Sequence, residues 1–332
     1  GFLLSMVIAS IAICIENILP IHIIGSSVIA LFIGMFINHI GTPTIFKAGL
    51  KFTSKKVLKF AIILLGASLS IGMILEVGKL SLTVMVFTLL TCFGGGHFIG
   101  KALKLDWKIS NLISAGTGIC GGSAIAAIAP VINAKDSDIA YAMSATFLFD
   151  MAMIILFPVM GNMLNLSDIA FGLWAGTAIN DTSSVVAASY AYSETAGDFA
   201  TMVKLTRTLS IIPTVIVFAF INTKVVEKNN SNNNGSEESN KKINFLALFP
   251  WFIVWFVALA VVNSLGFIPE EVSAFAKQVS KFLMVSSLGA IGLGTSFSEM
   301  KNSGVAPMIH GFIISVLVVI VSISVQYFMG MV

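Results

Sequence analysis

The chain has 332 residues, of which 57% are hydrophobic and only 11% charged, against about 25% charged in soluble domains. This composition excludes a water-soluble globular protein and defines an integral membrane protein. The net charge of +3 includes a single Arg and no basic stripe, so no nucleic-acid partner is expected.

A spanning helix needs about 20 apolar residues. By that measure the sequence reads as an all-α polytopic protein of about eleven segments, at roughly 2–16, 20–38, 57–75, 80–100, 109–134, 138–160, 169–192, 198–222, 245–264, 280–298 and 305–330. The chain opens on Gly1 rather than Met, so its short first segment is expected to be cut at its start. Cys14, Cys92 and Cys120 lie far apart in apolar runs and read as small buried residues, not as a disulfide framework or metal site.

Lysines orient the array. Lys47, Lys51, Lys55, Lys56 and Lys59 follow the second segment; Lys101, Lys104 and Lys108 follow the fourth; Lys224, Lys228, Lys241 and Lys242 follow the eighth. The other side holds Lys79, Lys135, Lys277 and Lys281 mixed with Glu76, Asp136, Asp138, Glu194, Asp198, Glu270 and Glu271. The positive-inside rule puts the first set in the cytoplasm, with the N-terminus inside and the C-terminus outside. The Asn- and Ser-rich stretch within 224–243 reads as a disordered cytoplasmic loop.

Without the first segment (1–19), ten remain. They divide as five plus five, at 20–162 and 163–332, and an odd number of crossings per half makes the repeats inverted. GMFINH (Gly34–His39) resembles GTAIND (Gly176–Asp181), and the small-residue runs Gly116–Ser123 and Ser286–Ser298 fall in the fourth segment of each half. A competing match is better: AGTGICGGSAIAA (Ala115–Ala127) and AGTAINDTSSVVAA (Ala175–Ala188) coincide at a constant offset of sixty. Read as crossings, those two segments would be parallel. Convergence on one local chemistry is therefore favoured over a duplication.

These two runs are rich in Gly, Ser, Thr and Asn at membrane depth. Irregular backbone is tolerated there only where protein or a water-filled cavity satisfies it, and paired breaks mark midplane sites in secondary transporters. Close helix packing by small residues is the bland alternative.

Charges inside the spans are default functional candidates. Asp150, mid-segment, reads as a proton-coupling group or as a structural, helix-capping carboxylate. Asp181 reads as a cap for a half-helix starting at Thr182, or as a lining of the substrate path. Lys204 and Arg207 share a helix face. The Arg207 guanidinium suits bidentate binding of sulfate, sulfonate or carboxylate oxygens, or holds Asp181 or Asp150 in an internal ion pair. The anion site is expected to draw on Thr117, Cys120, Gly121, Gly122, Ser123, Asn180, Asp181, Thr182, Ser183, Ser184 and Arg207, with Gly294, Thr295 and Ser296 contributed by the later segment. His97 and His310 read as packing residues.

Three runs in order, GTGICGGSAIAAIAPVI (Gly116–Ile132), GLWAGTAINDTSSVVAAS (Gly172–Ser189) and VKLTRTLSIIP (Val203–Pro213), resemble the YeiH family of bacterial inner-membrane proteins, named as sulfate exporters. The resemblance covers nearly the whole chain. It implies membership of the superfamily of cation/proton antiporters and bile-acid-type anion transporters. That in turn implies a five-plus-five inverted repeat with discontinuous, crossing fourth helices, and a core that moves against a panel. The family pattern leads one to expect His–Asp where this chain has Asn180–Asp181.

The expected function is therefore secondary active transport of a small anion, sulfate- or sulfonate-like and proton-coupled, by an elevator motion in the bacterial inner membrane. No GxxxxGK[ST] motif supplies ATP chemistry, and no HExxH or nucleophile elbow appears, so no enzyme, cofactor or metal is expected. An intramembrane enzyme using Asp150 with Asp181, and an anion channel, are the alternatives. The oligomeric state is open, a homodimer being one arrangement.

Overall fold

A computed structural model describes residues 1–18, 26–41, 43–232, 251–294 and 305–332, and among these every regular element is helical. In chain order they are α1 (Phe2–Ile18), α2 (Ser26–Ile40), α3 (Lys47–Phe52), α4 (Leu58–Gly66), α5 (Ile71–Leu90), α6 (Gly96–Ala102), α7 (Trp107–Gly118) and α8 (Gly122–Ile128). Then come α9 (Asp136–Met163), α10 (Asp168–Ala178), α11 (Thr182–Tyr192), α12 (Glu194–Thr208), α13 (Ile211–Asn232), α14 (Trp251–Ser264), α15 (Glu270–Gly294) and α16 (Val305–Phe328).

Four stretches are long and apolar enough to cross a membrane: Ile71–Ala102, Ser137–Met163, Glu194–Asn222 and Val305–Phe328. Phe2–Glu16, Val28–Ile40 and Trp251–Ser264 are shorter apolar helices. Helix α5 begins at Ile71, where the Ser70 hydroxyl accepts the Met73 N–H at 3.2 Å. The connection expected near Lys79 therefore falls earlier, at Ala67–Ser70. At the other end of the chain's middle, α13 continues through Asn232, into the segment read as loop; 233–250 lie outside the described residues.

The largest difference from the sequence reading concerns 109–134 and 169–192. Neither runs straight through. Helix α7 stops at Gly118, the chain turns at Ile119–Gly121, α8 runs back to Ile128, and a turn carries the chain on to Asn133, whose carbonyl accepts from Lys108 Nζ at 2.8 Å. Both ends of this segment thus lie together, and the segment is a helical hairpin. Helices α10 and α11 form a second one. Its base is closed by the Tyr192 hydroxyl donating to the Leu166 carbonyl at 2.5 Å and by Tyr192 stacking on Phe171 with ring centroids 3.9 Å apart.

Local chemistry explains both turns. Gly121 adopts φ +65°, a conformation other residues rarely take. The close approach at Gly116 leaves no room for a side chain: an added Cβ would lie 2.8 Å from Ile125 and 2.9 Å from Thr146. In the second hairpin Ile179 and Asp181 are extended, at φ −75°, ψ 139° and φ −89°, ψ 147°. The Asp181 carboxylate then starts α11 by accepting the Ser183 N–H at 2.9 Å.

The 28-residue α9 separates the hairpins. The base of the first adjoins its start, and the base of the second adjoins its end, where an added Cβ on Gly161 would lie 3.0 Å from Tyr192. The hairpins therefore enter from opposite ends of α9 and meet near its middle. Each is followed by a long helix, and the sixty-residue correspondence continues into these: Asp138 matches Asp198, Ala140 matches Ala200 and Thr146 matches Thr206.

Two groups of helices frame this core. Buried residues of α7–α11 pack with α16, including Ile314 and Val318. Helices α1, α2 and α15 form a second layer in which Gly34 and Gly292 let backbones touch; a Cβ on Gly34 would collide with the Gly289 carbonyl, and one on Gly292 with the Leu31 carbonyl. Val186 and Ala187 of α11 pack into the same cluster as Leu31 and Met35 of α2 and Leu288 of α15. Ion pairs join the layers at one end: Lys277 of α15 lies 3.0 Å from Glu194 and 2.7 Å from Asp198, and Lys281 lies 2.6 Å from Glu194.

Candidate functional site

The two hairpin tips, Ile119–Gly121 and Ile179–Asp181, meet face to face. A Cβ on Gly121 would lie 3.1 Å from the Asp181 Cβ. Each turn leaves backbone groups without helical partners, and three charged side chains from long helices supply them.

Asp150, fully buried halfway along α9, accepts the Asn180 N–H at 2.9 Å on one oxygen and the Asp181 N–H at 3.0 Å on the other. Arg207 and Lys204, one turn apart on α12, serve the carbonyl ends of both first arms. The guanidinium donates from Nε to the Gly118 carbonyl at 2.7 Å, from Nη1 to Thr177 at 2.5 Å and Ile179 at 3.3 Å, and from Nη2 to Thr117. Lys204 Nζ lies 2.9 Å from both the Ile119 and Ile179 carbonyls. Cations belong at these positions, because a helix C-terminus carries partial negative charge.

Helix α12 reaches the tips because α10 presents glycines to it. An added Cβ at Gly176 would lie 2.7 Å from Val203 and 2.9 Å from the Ala200 carbonyl, and one at Gly172 would lie 3.0 Å from the Ala196 carbonyl. Without these two glycines the helices could not approach so closely.

The structure thus gathers most residues expected at the site. Thr117, Cys120, Gly121, Asn180, Ser183 and Ser184 are buried; Gly122, Asp181 and Thr182 keep partial exposure, and Ser123 is exposed. The Ser183 hydroxyl donates to Asp181. Buried Thr117 Oγ1 and Asn180 Oδ1 have no hydrogen-bond partner among the described residues. Asp150 takes the capping geometry and Asp181 caps α11; Arg207 faces carbonyls rather than either carboxylate. Gly294 is exposed at the end of α15, which is unbroken to that point, and Thr295 and Ser296 lie outside the described residues. Among the described residues no cluster of His, Cys, Asp and Glu could hold a metal ion.

Sequence reasoning missed a stripe on α16. Ser322 Oγ lies 2.6 Å from Thr177 Oγ1, and Ser315 Oγ accepts from Asn180 Nδ2 at 3.4 Å. Ser315, Ser322 and Gln326 are fully buried. Their spacing of seven and four residues puts them on one helix face, and that periodicity in an otherwise apolar segment was the available signal.

A helical membrane protein whose buried charges hold two opposed hairpins is the class that this fold and site define. The family model described as "Conserved hypothetical protein 698" matches residues 1–311. A UPF0324 membrane protein of Clostridium tetani is 57% identical over 336 residues, covering 100% of this chain and 97% of that protein. UPF0324 membrane protein SAG1125 of Streptococcus agalactiae is 38% identical, covering 99% and 97%, and UPF0324 membrane protein FN0533 of Fusobacterium nucleatum is 39% identical, covering 93% and 92%. The chain belongs to the UPF0324 membrane protein family.

Proposed function

We propose that this protein is a secondary transporter of a small anion, sulfate- or sulfonate-like, that works by alternating access with proton coupling at the hairpin tips. The observation that carries the reading is the meeting of two hairpin tips beside three buried charged groups, Asp150, Lys204 and Arg207, and the partly exposed Asp181. Two hairpins inserted from opposite ends of α9 constitute an inverted pair on this reading, so each tip is the barrier on one side. The sixty-residue duplication then produces opposed units because one crossing, α9, separates the hairpins. With the lysine asymmetry, the first hairpin opens to the cytoplasm and the second to the outside of the cell membrane.

Charge counting supports an anion that travels with protons. In their charged forms Lys204 and Arg207 contribute two positive charges, and Asp150 and Asp181 two negative ones. With both carboxylates ionised the site is neutral; each proton added makes it more attractive to an anion. The exposed Ser123 and half-exposed Thr182 offer hydroxyl donors, and hydrogen bonds to charged partners are worth about 1.5–3 kcal/mol each. The core of hairpins, α9, α12 and α16 moves against the layer of α1, α2 and α15. The ion pairs of Lys277 and Lys281 to Glu194 and Asp198 hold the outer seam closed in this conformation. The protein performs no chemistry on its substrate.

The test is reconstitution. Proteoliposomes loaded with sulfate, a sulfonate or a carboxylate are expected to show saturable counterflow of the labelled anion. Conductance without saturation would indicate a channel, chemical alteration of the substrate an enzyme, and absence of movement for every anion would overturn the reading.

A further inference from the structure

Five backbone carbonyls converge between the hairpin tips: Thr117, Gly118 and Ile119 from the first and Thr177 and Ile179 from the second. Unwound carbonyls near the midplane are the groups with which transporters coordinate sodium. In this protein each of the five already accepts a hydrogen bond from Lys204 or Arg207. We propose that these two side chains are resident cations that occupy the place of a sodium ion, and that they make the transport inferred above sodium-independent.

Three observations carry this. First, the cations reach both hairpins at once: Lys204 Nζ stands 2.9 Å from one carbonyl in each tip, and Arg207 bonds to carbonyls of both. A mobile ion would have to displace a tethered charge from the same oxygens. Secondly, both side chains are almost completely excluded from solvent, at 0% and 1% exposure, so neither can swing out to water to make room. Thirdly, few buried oxygens of the tips are left over. Thr117 Oγ1 and Asn180 Oδ1 are the buried side-chain oxygens of the tips without partners among the described residues. Hard cations with protein oxygen ligands take about six.

The consequence is specific. A sodium-coupled carrier changes the charge of its site when the ion comes and goes. Here the cationic side chains are tethered to α12 and cannot leave, so the charge of the site changes only by proton transfer at its own buried side chains, Asp150 and Lys204 among them. The mobile cation is then a proton. Lys204 and Arg207 act through the carbonyls they hold, as positioning and ion-selecting residues rather than direct anion ligands.

The inference rests on the transporter reading, and the experiment separates the two. Purified protein is unfolded thermally in sodium chloride and in choline chloride at equal ionic strength. The parent is expected to show the same melting temperature in both, within about 1 °C, since specific ligands stabilise by mass action. A sodium-specific, saturable rise in the parent would overturn the proposal whether or not the protein transports. In proteoliposomes, with the anion that shows counterflow, an inward proton gradient is expected to drive accumulation, and replacing sodium by choline is expected to leave the rate within about twofold. A sodium gradient that drives accumulation by itself would overturn the proposal. Lys204→Met empties one position of the cage and is expected to make melting sodium-dependent; a folded Lys204→Met protein indifferent to sodium would remove the idea of replacement. If that variant does not fold, the parent's sodium response decides.

Discussion

Asp150 and Asn180 are thirty residues apart in sequence, yet Asp150 Oδ1 lies 2.9 Å from the Asn180 amide nitrogen, with Oδ2 at 3.0 Å from the next amide. One carboxylate at the middle of a long helix thereby fixes the turn of the second hairpin.

Asp150→Asn tests what that carboxylate does. The amide keeps one acceptor oxygen and turns an NH2 group toward a backbone donor, so about 1–3 kcal/mol of stability should be lost. The protein is expected to remain folded in detergent by thermal unfolding. Its transport, if proton-coupled through Asp150, should lose its dependence on a pH gradient. A variant with normal proton-driven uptake would leave Asp150 as a structural cap alone.

Gly121→Ala addresses the first tip. Its φ of +65° with ψ of −134° is a conformation open essentially to glycine alone, and holding a residue with a side chain there costs about 1–3 kcal/mol. The new Cβ would also press on Asp181, 3.1 Å away. We expect a lower melting temperature and weaker anion binding by titration, with a larger effect than Gly122→Ala, where a Cβ meets nothing closer than 3.9 Å.

The hairpins change the expected topology between Asp136 and Asp168. Were both segments crossings, Lys135 would face outside and Asn165 inside. With both doubling back, Lys135 lies on the same side as Lys108, and Asn165 on the other. A cysteine at Lys135 should therefore be protected from impermeant reagents added to intact cells, and one at Asn165 should be labelled. The reverse pattern would contradict the hairpin topology.

The ion pairs between α12 and α15 should matter more to rate than to stability. Their side chains are 12–53% exposed, and such pairs contribute about 0.2–1 kcal/mol each. Lys277→Glu should shift the melting temperature only slightly while changing the turnover of counterflow by several fold. Restoring opposite charge with Asp198→Lys in the same protein should recover part of the parental rate. Unchanged turnover in Lys277→Glu would make the cluster a passive surface feature.

Much of the site was legible. Gly116–Ser123 and Gly176–Ser184 stood out because small and polar residues have no use on a lipid-facing helix. Asp150, Asp181, Lys204 and Arg207 stood out because charge at membrane depth is costly. The offset of sixty was visible too. Its meaning was not, because a run of twenty-odd apolar residues has the same composition whether it crosses once or enters and returns. Lys108 bonding to Asn133, and Tyr192 to Leu166, make that choice, and both contacts are tertiary.

By itself the sequence determined that the chain is helical and membrane-embedded, because apolar content on this scale leaves only structures that satisfy their own backbone. It also marked where the helices weaken, around Cys120–Ser123 and Asn180–Ser184; the break expected around Gly292–Ser296 is not seen as far as Gly294, where α15 is still unbroken. The tertiary structure decided that the weak points become opposed hairpin tips, and that Arg207 serves carbonyls rather than a carboxylate. The physical reason is that a buried backbone group must find a partner somewhere, and which side chain arrives is set by the packing of α9 and α12 against the hairpins.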